Sequence, residues 1–145
     1  TARFVLPGNI SAAVPAHQDV TYNKHLGRFC VVWVPLVEID ATCGGMVVFP
    51  RTQGLGELCR NERVPPTEGW IPPIDTAGLR SVEMQPLSPG DIVVMGDETI
   101  HASMSNTSER IRLSIDFRFF GEKSRSTKHY LDLQQGRVIE PIASR

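Results

Sequence analysis

His17 and Asp19 stand two residues apart near the start of the chain, and His101 lies far downstream with Arg112 eleven residues beyond it. Side chains at i and i+2 of an extended segment point to the same face. A third imidazole from a distant strand then completes a set of two histidines and one carboxylate. That donor set is the usual holder of non-haem Fe(II), because it takes three metal positions and leaves the others for a chelating co-substrate and dioxygen. Arg112 offers a planar, permanently charged fork that matches a carboxylate bidentately. Ser114, two residues on, points the same way and adds a hydroxyl. A buried Arg beside a cationic metal is costly unless an anion sits between them. These residues therefore suit a dicarboxylate with one end on the metal and the other on Arg112 and Ser114.

The elements that must position them read almost entirely as strand. Candidates are Arg3 to Leu6, Ala12 to Asp19, Arg28 to Ile39, Met46 to Phe49, Ser81 to Gln85, Ile92 to Met95, Thr99 to Met104 and Ile111 to Phe120. Pro15 places the second at an edge or a strand start. The third is apolar on both parities, so it is covered on both faces. The last alternates strictly, with Ile111, Leu113, Ile115, Phe117 and Phe119 against Arg112, Ser114, Asp116 and Arg118. Seven or eight short strands with turn-rich connections and no helical period predict an all-β jelly roll or sandwich. His101 and Arg112 are expected on neighbouring antiparallel strands, at the same end of the barrel.

The chain has 145 residues, one domain by length. A hydrophobic content of 41%, a charged content of 21% and a net charge of −1 describe an ordinary globular composition. There is no basic stripe for nucleic acid and no apolar run long enough to span a membrane. The three cysteines are odd in number and lack C-x-x-C spacing, which favours a reducing, intracellular setting, cytoplasmic by default. The chain begins at Thr1 rather than Met, so a targeting segment upstream stays open. We assign residues 1–120 to the core and 121–145 to a tail or edge strand. The Pro- and Gly-rich stretch 51–80 is a long loop or lid.

His17-Gln18-Asp19-Val20-Thr21-Tyr22, Trp33-Val34-Pro35-Leu36, Gly44-Gly45-Met46-Val47-Val48-Phe49-Pro50, Pro89-Gly90-Asp91, His101-Ala102-Ser103 with Asn106 and Ser108, and Arg112-Leu113-Ser114 follow one another in an order that resembles the phytanoyl-CoA dioxygenase family. The resemblance implies a double-stranded β-helix of the cupin type. It implies Fe(II) on His17, Asp19 and His101, chelated by 2-oxoglutarate whose far carboxylate meets Arg112 and Ser114, and it lets Trp33 line that pocket. It implies hydroxylation of a small organic substrate with dioxygen, releasing CO2 and succinate. Family halogenases carry a small residue where Asp19 stands, so the carboxylate favours hydroxylation. Two departures stand out. Pro50-Arg51-Thr52-Gln53 replaces the family's frequent Pro-Gly-Ser-His, and the helical region that usually precedes the barrel is absent.

The substrate candidates are Tyr22 and Asn23, just past the ligand pair, with Gln18 and Arg51. Asp116 and Arg118 read as a structural ion pair, Arg110 as an exposed loop residue, Asn106 as a turn former, and His25 and His129 as surface residues. If Arg112 faces inward, the stripe from Ile111 to Phe119 faces outward and needs cover. Helices outside these residues or a second subunit are the expected cover. Two other functions compete with the oxygenase. One is a non-catalytic β-helix module that binds a ligand or partner in the same cleft. The other is a cupin-like metal enzyme without 2-oxoglutarate, against which Arg112 and Ser114 argue.

Overall fold

The strictly alternating segment becomes the longest strand, β7 (Arg112–Phe120), at the middle of the larger sheet. A computed structural model describes residues 1–58 and 74–141. The larger sheet runs β1 (Ala2–Val5), β7, β2 (Phe29–Pro35), β5 (Val93–Gly96), every neighbour antiparallel. The smaller runs β4 (Val82–Glu83), β3 (Met46–Val48), β6 (His101–Ser103), again antiparallel. The core joins Phe29, Val31 and Trp33 of β2 and Val93 and Met95 of β5 to Met46 of β3. The two sheets therefore pack face to face, as a jelly roll requires.

Register sets which residues face the interior. Arg3 lies opposite Ser114, Val5 opposite Arg112, and Trp33 opposite Asp116. With a side-chain period of two, the inner face of β7 carries Arg112, Ser114, Asp116 and Arg118. Its outer face carries Phe117 and Phe119, 47% and 44% exposed, beside Phe4 of β1 at 69%. The outward stripe expected from the alternation is thus present, and it extends onto a second strand.

Three expectations need correction. The segment Ala12 to Asp19 is not a strand. A 3-10 turn (Ile10–Ala12) opens it, His17 makes one isolated antiparallel bridge with His101, and Asp19 begins another 3-10 turn (Asp19–Thr21). Pro15 has no N–H to donate, so a continuous ladder cannot form there. His101 and Arg112 do not sit on paired strands either: β6 and β7 belong to different sheets, and the loop between them crosses from one to the other. Asn106 holds that crossing, its buried amide donating to the carbonyls of Val5 and Arg110 at 3.2 and 2.7 Å. Finally, the segment after Phe120, expected as a tail or an edge strand, joins neither of the two sheets and carries a hairpin of its own, β8 (Tyr130–Asp132) with β9 (Arg137–Ile139), which corrects only the edge-strand alternative. Of the stretch 51–80, residues 59–73, including Cys59, lie outside the described residues. No helix among the described residues is long and apolar enough to cross a membrane.

Candidate metal centre

The bridge between His17 and His101 places two imidazoles side by side. Each backbone N–H donates to the other residue's carbonyl at 3.0 Å, a directly opposed pair whose side chains leave the same face. The ring centroids are 4.3 Å apart. Each Nδ1 lies near a carbonyl oxygen, Pro15 O at 2.8 Å for His17 and Thr99 O at 3.0 Å for His101. A carbonyl can only accept, so Nδ1 carries the proton in both rings and each Nε2 keeps a free lone pair.

Both lone pairs meet at one oxygen. Asp19 Oδ1 is 3.6 Å from His17 Nε2 and 3.9 Å from His101 Nε2. Gln18 between them is extended, with φ −118° and ψ 134°, which keeps residues 17 and 19 on one side despite the absence of a strand. Donor atoms of the three residues lie within 4.8 Å of one another. Asp19 is 3% and His101 7% exposed. Burial pushes His101 down to about 4, helped by the neighbouring His17 and opposed by Asp19. Burial alone would raise Asp19, but the neighbouring His17, the Arg118 guanidinium and His101 together hold it below its ordinary value. A neutral imidazole facing an ionised carboxylate near neutral pH is what a divalent ion requires, so the donor set fits the implied metal.

A cavity of about 130 Å³ runs from this cluster to Arg112, walled by Val31, Trp33, Met46 and Met95. Arg112 is 1% exposed. Its Nη1 donates to the carbonyl of Gly44, and its Nε has no partner. Among the described residues no carboxylate pairs with it. Burial, then the charge of Arg3 across the strand, lowers its pKa. Gly44 itself has φ +82°, and a Cβ there would lie 2.7 Å from Met104 O, so only glycine presents this carbonyl. Ser114 Oγ is buried without a partner beside Arg112.

The remaining candidates are scattered. Trp33 lines the cavity. Tyr22 stands edge-on to His17 at 5.8 Å and is exposed. The Asn23 amide donates to the Asp19 carbonyl at 3.1 Å, fixing the turn that carries the carboxylate. Arg51 is exposed, left-handed at φ 68°, and does not line the cavity. Gln18 needs correction as a substrate residue. It is fully buried, donating to Gly56 O and Glu98 O and accepting from Leu58 N, so its amide is spent on backbone. Arg110 is exposed and pairs with Asp40 at 2.6 Å. Asp116 and Arg118 do pair, at 2.6 Å, but Arg118 also reaches Asp19 Oδ2 at 2.7 Å. Sequence reasoning missed that second contact and missed Arg3. Parity from Arg112 had placed Arg118 on the correct face.

The family model for phytanoyl-CoA dioxygenase (PhyH) matches residues 4–114. The chain belongs to that family. A zebrafish (Danio rerio) phytanoyl-CoA dioxygenase domain-containing protein 1 is 32% identical over 117 residues, which is 75% of this chain and 39% of the relative. This PhyH-family chain thus spans about two-fifths of that relative's length. Among solved structures, EvdO2 from Micromonospora carbonacea var. aurantiaca, complexed with 2-oxoglutarate, superposes with a TM-score of 0.63 at 19% identity, covering 85% of this chain and 53% of its own. The epimerase SnoN, in complex with Fe3+, alpha-ketoglutarate and nogalamycin RO, gives 0.64 at 18% identity, covering 86% and 49%. Both likenesses concern the fold, the double-stranded β-helix of this family.

Proposed function

We propose that this chain is the catalytic β-helix of an Fe(II)/2-oxoglutarate-dependent oxygenase acting on a small organic substrate, with hydroxylation as its reaction. The observation that carries the reading is one cavity with two complementary ends. At one end are two Nε2 lone pairs and an ionised carboxylate, and at the other a buried guanidinium without a counter-ion. Family membership supports it, as do the Fe3+ and 2-oxoglutarate ligands of fold neighbours.

His17, Asp19 and His101 hold the iron. The Thr99 and Pro15 carbonyls fix the two rings in the ligating tautomer. Arg112, with Ser114 beside it, receives the far carboxylate of 2-oxoglutarate, and Gly44 O aims the guanidinium. Val31, Trp33, Met46 and Met95 exclude water from the space between. Bound iron and 2-oxoglutarate supply the oxidising chemistry, dioxygen being reduced as the co-substrate yields succinate and CO2 and one oxygen atom enters a substrate C–H bond. Because SnoN is an epimerase, inversion at a C–H centre is the second reading of the same site.

Anaerobic titration with Fe(II) and 2-oxoglutarate tests the proposal through the weak visible charge-transfer band of the chelate. A band that saturates at equal stoichiometry, is lost in His17→Ala and is weakened in Arg112→Ala is the expected result. A folded chain, by circular dichroism, that gives no band would sink the reading in favour of a binding module.

A further inference from the structure

Asp19 gives its two oxygens to different neighbours. Oδ1 lies 3.6 and 3.9 Å from the Nε2 atoms of His17 and His101. Oδ2 lies 2.7 Å from Nη2 of Arg118. The same guanidinium donates through Nη1 to Asp116 Oδ2 at 2.6 Å. Arg118 therefore spans two carboxylates, one on its own strand two residues back and one on the segment that carries the histidine pair.

We propose that Arg118 is a positioning residue that holds Asp19 as a one-oxygen metal ligand and so keeps three metal positions open. The inference rests on the metal reading above. A carboxylate with both oxygens free can bind a divalent ion through either one or both. An ion-pair contact of 2.7 Å with the Arg118 guanidinium, not aligned as a hydrogen bond, competes with the metal for Oδ2. Were both oxygens on the metal, one of the positions needed by a chelating co-substrate and dioxygen would be lost. Asp116 keeps the guanidinium in place, since residues i and i+2 of β7 share a face. Arg118 is 26% exposed, and its charge is balanced by two carboxylates, so it is not a substrate anchor.

This role and a merely structural one predict different behaviour. Replacing Arg118 removes a cation beside the metal, which does not weaken metal binding on electrostatic grounds. Loss of structure would weaken it. Mn(II) is the probe, read by water-proton relaxation, which reports the waters exchanging on the ion. With octahedral Mn(II) on three protein donors, three positions carry water, and 2-oxoglutarate takes two of them. In Arg118→Gln a chelating Asp19 leaves two waters, then none. The expected relaxation enhancement falls by about one-third without 2-oxoglutarate and almost vanishes with it, while Mn(II) stays bound. Arg118→Lys, which retains a cation for Oδ2, restores the original pattern.

A folded Arg118→Gln protein with unchanged relaxation in both states overturns the proposal. If that variant does not fold, the unsubstituted protein decides by infrared difference spectroscopy with 13C-labelled aspartate on adding Mn(II). A wide carboxylate splitting, typical of one-oxygen ligation, supports the proposal, and the narrow splitting of a chelating carboxylate overturns it. Failure of the unsubstituted protein to bind Mn(II) more tightly than His17→Ala overturns the metal reading, and this inference with it.

Discussion

Arg112→Met tests the electrostatic logic of the cavity, because fold and ligand binding should move independently. The guanidinium is 1% exposed and has no carboxylate partner among the described residues. Replacing a buried ion pair by apolar side chains of similar volume is often neutral or stabilising by about 1–4 kcal/mol, and a buried guanidinium with no counter-ion relieves at least as much desolvation when it is replaced. Against that, the Gly44 carbonyl loses its donor, at a cost of about 1–3 kcal/mol. The two largely offset, so the metal-free variant should lie within about 2 kcal/mol of the original, or roughly 6–8 °C in Tm. Co-substrate binding behaves differently. Losing one side of a buried charge pair costs about 2–5 kcal/mol, at least about thirtyfold in affinity. With Mn(II) present, 2-oxoglutarate at about one hundred times its Kd adds about 2.7 kcal/mol to the unsubstituted protein. That is roughly 8–11 °C for a chain of this length. At the same concentration the variant should gain about 0.9 kcal/mol or less, roughly 3 °C. Thermal denaturation with and without 2-oxoglutarate measures both quantities. A full ligand-induced shift in Arg112→Met refutes the anchor. Destabilisation of the metal-free variant by more than about 4 kcal/mol refutes the reasoning that this arginine is held for a ligand rather than for the fold.

Two further perturbations follow from the same geometry. His101 is depressed to about 4 in the fold, whereas the unfolded chain takes up its proton near the ordinary value of about 6.5. Its contribution to stability is therefore full above about pH 6.5 and is lost as pH falls toward about 4, to the extent of about 3 kcal/mol. Asp19, also lowered, acts in the same direction at still lower pH. Urea titrations of the metal-free protein across this window should show a steep loss of stability that His101→Gln flattens, and equal slopes would contradict the assignment. Arg51 carries φ 68° on an exposed turn, a conformation that costs a side-chain-bearing residue about 1–2 kcal/mol. Arg51→Gly should raise stability by roughly 0.5–1 kcal/mol after the added freedom of the unfolded chain is counted, with Mn(II) affinity unchanged. A fall in Tm would mean that the side chain makes contacts that outweigh the strain.

Residue periodicity made some of this site legible and hid other parts. The i, i+2 rule brought His17 and Asp19 together although the element was misread. The rule depends only on Gln18 being extended, and a residue between a single bridge and a 3-10 turn satisfies it as well as one inside a strand. Parity along β7 placed Arg112, Ser114, Asp116 and Arg118 on one face for the same reason. Contacts made across the fold left no local signature. Nothing near Gln18 announces that residues 56 to 58 come to its amide, and nothing near Arg118 announces that it ends beside Asp19. The pairing of β6 with β3 rather than with β7 escaped because a short loop between two strands reads as a hairpin, and only the packing of two sheets shows that this loop crosses between them.

Charge balance explains why these groups belong to one device. Three guanidinium groups, Arg3, Arg112 and Arg118, line the cavity with two carboxylates, Asp19 and Asp116. Arg118 with its two carboxylates carries one net negative charge, and buried Arg112 with the exposed Arg3 carries two positive ones, so these side chains sum to one positive charge. A divalent ion at the histidine end raises the total to three positive charges. A dicarboxylate returns it to one, with a carboxylate delivered to each end. In a partly desolvated space these interactions are stronger than in water, so metal and dicarboxylate should each favour the other's binding, and by linkage to the same degree. A neutral ligand of equal size would gain the wall contacts but leave the charge in place. On the function proposed above, the cavity favours a dicarboxylate by charge before any hydrogen bond is counted, and Arg118, by holding one oxygen of Asp19, would set how many metal positions that dicarboxylate finds free.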